Sequence, residues 1–318
     1  MKLLSIVVPI YNVENYLKRC INTLLYFDSG VVDIILVNDG STDSSFQICK
    51  YYGGYSNIRI INKENGGLSD ARNAGLAIVN SEYVWFIDSD DYIEDKCSEI
   101  IERLTKFKPD IMIMNFSRVI NSREIPYNHR IKENTIFSGQ EYIKEAIVSK
   151  EYVIPVWSNI YRKTLFDNRK FVKGIYHEDE QIAPYLFLDS EKILVTHINS
   201  YRYVLRKNSI VNSKKYEKNL KDMFGVFIEN SNYYNSVLTD NVLIELLHDD
   251  MAEKIIYALS RYDVPSSEVN RYISYKFIKE WSNSKKNKIR YLMFRYFRSL
   301  YRIVFSKNEE KKLKIKKF

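Results

Sequence analysis

Cysteine is scarce in this sequence: Cys20, Cys49 and Cys97 stand far apart and form no paired motif. That argues against a disulfide framework and against a zinc site, and it fits a reducing compartment. No apolar run approaches the roughly 20 residues needed to cross a bilayer, and Met1-Lys2 leads straight into a strand-like run. Neither an export signal nor a membrane anchor is expected, and the expected setting is cytoplasmic. No G-x-G-x-x-G follows the first apolar run, and no G-x-x-x-x-G-K-[ST] is present, so dehydrogenase-type dinucleotide binding and a P-loop are unsupported. The body of the chain also lacks net positive charge. Of the net +8, the segment from Lys285 to Phe318 carries +11, thirteen Lys or Arg against two Glu, which leaves −3 for residues 1–284. A nucleic-acid partner, which wants a basic face on the folded body, is not expected.

What is present begins with Tyr83-Val84-Trp85-Phe86-Ile87-Asp88-Ser89-Asp90-Asp91, an apolar run that ends in three carboxylates. It reads as a buried strand delivering acids to its carboxyl end, where unpaired charge must meet solvent or a cation. Hard oxygen ligands suit Mg²⁺ or Mn²⁺, while an acidic turn capping a helix that starts near Glu94 is the plainer alternative. Earlier strands are expected from Leu3 to Pro9, Val32 to Val37 and Ile58 to Ile61, with helices after them. Strand and helix alternating four times in about a hundred residues signify a parallel α/β sheet, whose ligands bind beyond the carboxyl ends of the strands. Asp39, Asn65, Arg72, Asp88 and Asp90 all fall there.

Four segments in order then resemble family 2 glycosyltransferases of GT-A fold: Ser5–Asn12, Ile35–Asp43, Asn65–Asn73 and Asp88–Asp91. Weaker matches at His177–Glu180 and Arg206–Ile210 extend the resemblance to about residue 212. The resemblance implies a GT-A nucleotide-diphospho-sugar transferase fold, a Rossmann-like, mainly parallel sheet. Its catalytic domain would cover 1–213, with a nucleotide-binding half (1–106) and an acceptor half (107–213), and a helical region would cover 214–318. It implies inverting transfer, by single displacement, from a nucleotide-diphospho-sugar, UDP-linked, to a saccharide acceptor, polyprenyl-linked, in bacterial surface polysaccharide assembly. Mn²⁺ or Mg²⁺ would be the cofactor.

Site residues follow from the same resemblance. Asp39 would accept the uracil N3–H, Tyr11 would stack on the base beside Pro9 and Asn65, and Arg72 would line the nucleotide pocket. Asp88 would meet the ribose, with Ser89 also in the nucleotide site, Asp90 the metal, and Arg206 the pyrophosphate. Asp179 would be the base that takes the acceptor's proton, with Glu178 as the second choice, although acids also favour a helix's first turn. Trp157 would lie against the acceptor sugar or else in the core. The chain departs from the family pattern at Val204, where relatives often have Arg, and at Asn159, where Lys is usual. The third metal ligand is unassigned, His177 being the nearest candidate by motif. A non-catalytic nucleotide-sugar-binding partner subunit is the alternative. A nucleotidyltransferase would want a basic, glycine-rich phosphate loop after the first strand, and none is present.

Beyond Ser213 the pattern is helical, with helices expected over Asp222 to Tyr234, Val242 to Tyr262 and Val269 to Trp281. In the last segment Arg295, Arg298 and Arg302 share one helical face, with Met293, Phe297, Leu300 and Val304 broadly opposite. Such a helix lies on an anionic membrane surface or packs on its neighbours. A homo-oligomer is left open by the composition.

Overall fold

The computed structural model describes residues 1–152, 154–205, 216–262 and 282–301, and single positions 264, 265, 269, 274, 276, 278, 279, 303 and 304. The first hundred residues fold as their alternation requires: β1 (Lys2–Ile10), α1 (Glu14–Leu24), β2 (Val32–Asp39), α2 (Ser45–Tyr52), β3 (Ile58–Lys63), α3 (Leu68–Ala77) and β4 (Ser81–Phe86). These strands lie parallel in the order β3-β2-β1-β4. Near-continuous Val, Ile and Leu in β1 and β2 reflect cover on both faces.

Pro9 does not end β1, which runs on to Ile10. It is tolerated because alternate residues face the same sheet neighbour, and Val7, two residues back, bonds Ile87 N–H on the β4 side. β4 ends at Phe86, so at Pro9 no ladder bond is lost.

After β4 the sheet changes character. β5 (Tyr92–Ile93) precedes α4 (Cys97–Phe107), which starts three residues later than the expected Glu94. β6 (Ile111–Ile120), β7 (Arg123–Tyr127), β8 (Thr135–Phe137), α5 (Gly139–Ser149), β9 (Asn159–Arg162), α6 (Glu178–Leu188) and β10 (Ile193–Val204) complete this unit. The path continues β4-β9-β6-β10-β5, with β9 antiparallel to both neighbours and β10 parallel to β6. The sheet as a whole is therefore mixed, parallel in the first four strands.

Two loops at the carboxyl ends of β1 and β2 are laced together. Asn12, at φ 51°, accepts Thr42 N–H at 2.8 Å, while Val13 N–H donates to Ser45 Oγ at 3.0 Å and Glu14 N–H to Asp43 Oδ2 at 3.0 Å. The start of α1 is thus capped from the neighbouring loop. Burial is the largest single influence on Asp43 and raises its carboxyl, but the bonds from Ser45 and Glu14 together outweigh it and hold the carboxyl below the ordinary range. Asp43→Ala is expected to lower stability by about 1 kcal/mol, read as a reduced urea midpoint. Because the folded pKa is depressed, the difference from wild type should vanish as pH falls through it.

α3 sits unusually close to the sheet. A Cβ on Gly75 would stand 2.4 Å from Val7 Cγ1, so only glycine permits this approach. The close approach packs the last turn of α3 directly on β1 and β2, at Val7 and Val37.

The chain divides into two compact units, Met1–Arg206 and Lys207–Phe318. The sequence-based boundary after residue 213 falls within 206–215, outside the described residues, as does Arg206. In the second unit, α7 (Tyr216–Val237) and α8 (Asn241–Arg261) enclose the expected helices Asp222 to Tyr234 and Val242 to Tyr262, to within a residue at the end of α8, and α9 (Lys285–Tyr296) lies in the basic last segment. The helix expected over Val269 to Trp281 falls mostly outside the described residues, and so does Arg302. No described helix is long and apolar enough to cross a membrane.

Candidate functional site

Arg72, on α3, is 1% exposed, and its guanidinium gathers three carboxylates from distant parts of the chain. Nη2 donates to Asp88 Oδ1 at 3.1 Å; Nη1 donates to Glu178 Oε1 at 3.0 Å and Asp179 Oδ1 at 2.7 Å. Phe171 lies beneath the guanidinium, 5.4 Å from it. Asn73, one residue on, grips the backbone of Phe171 from both sides, donating to its carbonyl at 2.8 Å and accepting its N–H at 3.0 Å. One helical turn thus joins the end of β4 to the start of α6.

Asp179 also accepts Val156 N–H at 3.2 Å. Burial pushes its carboxyl up to about 7; Arg72 opposes this, and Glu178 and Asp88 add to it. A carboxylate poised there takes a proton at neutral pH better than an exposed one.

At the end of β2, Asp39 is 2% exposed. It accepts Gly66 N–H at 3.0 Å and Gly67 N–H at 2.8 Å and pairs with Lys63 at 2.6 Å. Asn65 in the same turn is exposed, and its backbone N would stand 2.7 Å from a Cβ on Gly40, itself at φ 70°. Tyr11 is 49% exposed after β1, as a stacking surface requires.

The family described as Glycosyl transferase family 2 matches residues 5–178, more than half of the chain. The chain belongs to that family. The glycosyltransferase GlyA of Streptococcus pneumoniae serotype 4 is 32% identical over 216 residues, 65% of this chain and 31% of GlyA, so the chain spans about a third of that relative. The S. aureus TarS 1–349 structure superposes with a TM-score of 0.71 at 21% identity, covering 88% of this chain and 81% of TarS. Its complex with UDP-GlcNAc gives 0.66 at 22%, covering 87% and 85%. At such identity the likeness to TarS shows the fold alone.

Of the two places expected for Trp157, against the acceptor sugar or in the core, the structure shows the core and not the acceptor face. Its ring is 6% exposed, stacks on Tyr201 and Tyr203 at 4.5 and 5.2 Å, and meets Phe116 edge-on. Those contacts make it a core residue. Asp91 is no turn cap either: fully buried, it accepts Tyr201 Oη–H at 2.6 Å and Val204 N–H at 2.7 Å. Burial foremost, then Asp90 and Asp88, pushes its carboxyl well above the usual range. Tyr201 Oη also accepts Asp88 N–H at 3.3 Å, so one tyrosine of β10 orients the whole acidic turn. Ser89 is 5% exposed, Pro9 is buried within β1, and Arg72 lies under the carboxylates. Lys63, Asn73 and Tyr201 were not singled out from sequence. Asn73 stood inside a matched motif, whereas Lys63 and Tyr201 gave no local signal.

For a cation, the described residues contain no group of three or more His, Cys, Asp or Glu arranged to hold one. His177 Nδ1 pairs with Glu180 at 2.9 Å at the start of α6. A Mg²⁺-like ion, however, takes one or two carboxylates and completes its shell with substrate phosphates and water. Asp88 and Asp90, both half-buried beyond β4, fit that shared mode.

Proposed function

We propose that this chain is an inverting glycosyltransferase that moves a sugar from a UDP-sugar to a saccharide acceptor, polyprenyl-linked, in bacterial surface polysaccharide assembly. The observation that carries it is Asp179, a half-buried carboxyl poised at about 7 and tied through Arg72 to Asp88 at the end of the nucleotide-binding strands. Asp179 takes the proton of the acceptor hydroxyl as its oxygen attacks the anomeric carbon from the face opposite the nucleotide. The bond from that carbon to the diphosphate breaks with its electron pair, and UDP leaves. Arg72 holds Asp179 and Glu178 in place while Asp88 meets the ribose, Tyr11 the base face and Asp39 the base edge. Mn²⁺ or Mg²⁺ held by Asp90, and by Asp88 where it turns from the ribose, would offset the negative charge the diphosphate gains. The UDP-GlcNAc complex of TarS supports the choice of donor class.

The basic carboxyl-terminal helix supports a peripheral contact with anionic lipid. Tyr296, Phe297 and Ile303 are 65, 62 and 67% exposed, among the thirteen Lys and Arg counted after residue 284.

The test is release of UDP from a panel of UDP-sugars, with and without Mn²⁺, for wild type and Asp90→Ala. Metal-dependent release from one sugar, lost in Asp90→Ala, is the expected result. Donor binding without release, even with lipid-linked acceptors present, would instead make the chain a non-catalytic partner of another transferase.

A further inference from the structure

A carboxylate offers about four acceptor positions, two on each oxygen. Three of those on Asp39 are already filled. Oδ1 takes Lys63 Nζ at 2.6 Å and Gly66 N–H at 3.0 Å; among the described residues Oδ2 takes only Gly67 N–H at 2.8 Å. Lys63 in turn has three ammonium protons and three acceptors: Asp39 Oδ1, Asp70 Oδ2 at 2.6 Å and the Glu64 carbonyl. Partial burial works against its charge, but the bonds to Asp39 and Asp70 hold it protonated. Asp70 is itself anchored by Lys173 as well as Lys63. Asp39 therefore cannot turn without breaking the lysine tripod or a glycine bond, and one acceptor position, on Oδ2, remains.

Resting on the nucleotide-sugar reading above, we propose that Lys63 is a specificity-determining residue. By filling Oδ1 of Asp39, it restricts the site to a base that offers one N–H between two carbonyls, as uracil and thymine do. Guanine offers two adjacent N–H groups, from N1 and N2, and a carboxylate meets both only with both oxygens. Cytosine and adenine present a bare ring nitrogen at that edge, which a carboxylate repels whether or not Lys63 is there. Lys63 thus decides between uridine and guanosine diphosphates by acting through Asp39.

Calorimetric titration of the full chain with UDP and with GDP tests this, using wild type, Lys63→Met and Lys63→Gln. Wild type should bind UDP at least about tenfold more tightly than GDP, the size of one well-made base-edge contact. Lys63→Met, which keeps the aliphatic stem and removes every donor, should narrow that ratio by about tenfold. Lys63→Gln, a second variant should the first fail to fold, should move it in the same direction. A merely structural lysine would weaken both ligands alike, so parallel loss, or an unchanged ratio, overturns the proposal. Equal binding of UDP and GDP by wild type also overturns it and leaves the transferase reading standing. Binding of neither diphosphate overturns both.

Discussion

Arg72→Met should be the most damaging single substitution in this chain, lowering stability by about 3–5 kcal/mol. The reason is what remains. Asp88, Glu178 and Asp179 would keep their places around a side chain that no longer carries charge, with side-chain exposures of only 24, 15 and 19% to share among them. Removing one partner from a buried pair costs more than the pair contributes, and here one cation serves three anions. For a unit of about 200 residues this corresponds to a fall in Tm on the order of 10 °C. Two controls separate charge from packing. Adding Glu178→Gln to Arg72→Met should restore part of the loss, because one uncompensated anion disappears. The deficit should also shrink in acid, where the orphaned carboxyls protonate. A variant that melts like wild type would show that the cluster is not held by its arginine.

The second large effect is on rate. Asp179→Asn should reduce transfer by about 10²–10⁴-fold while UDP affinity stays within about threefold of wild type. Asparagine keeps one oxygen, which still accepts from Arg72, and gives up the Oδ2 that accepts Val156 N–H at 3.2 Å, so the pocket loses that one bond together with the proton acceptor. In wild type the pH dependence should run in opposite directions for rate and stability. The base works ionised, so kcat/KM should rise with pH through about 7. The folded pKa lies above the roughly 3.9 of the unfolded chain, so the native state binds more protons between the two values. Stability should therefore decline as pH rises from about 4 to about 7, and Asp179→Asn should remove that part of the slope. Full transfer by Asp179→Asn would move the base role to Glu178.

Much of the candidate site was legible because its signals are local. Asp39 follows a strand whose own residues announce it, and Arg72 and Asn73 stand in one short motif at the start of a helix. Asp88, Asp90 and Asp91 were equally visible, and the family resemblance gave roles to the first two, but nothing local showed which of the three would be buried. Their separation depends on Tyr201 and Val204, more than a hundred residues later, which take up Asp91 and leave Asp88 and Asp90 half-buried. Trp157 shows the same limit. An indole suits a sugar face and a core equally well, and only the arrival of Tyr201, Tyr203 and Phe116 fixed its place.

The sequence by itself determined the alternation of strand and helix, the absence of disulfide and nucleotide-loop motifs, and the acids beyond the strands, since backbone periodicity and turn chemistry act within a few residues. Long-range packing set the mixed second half of the sheet, the lysine that locks Asp39, and the sharing of Arg72 among three carboxylates. Burial and charge pairing set those outcomes, and both depend on which distant residues the folded chain brings within a few ångströms of one another.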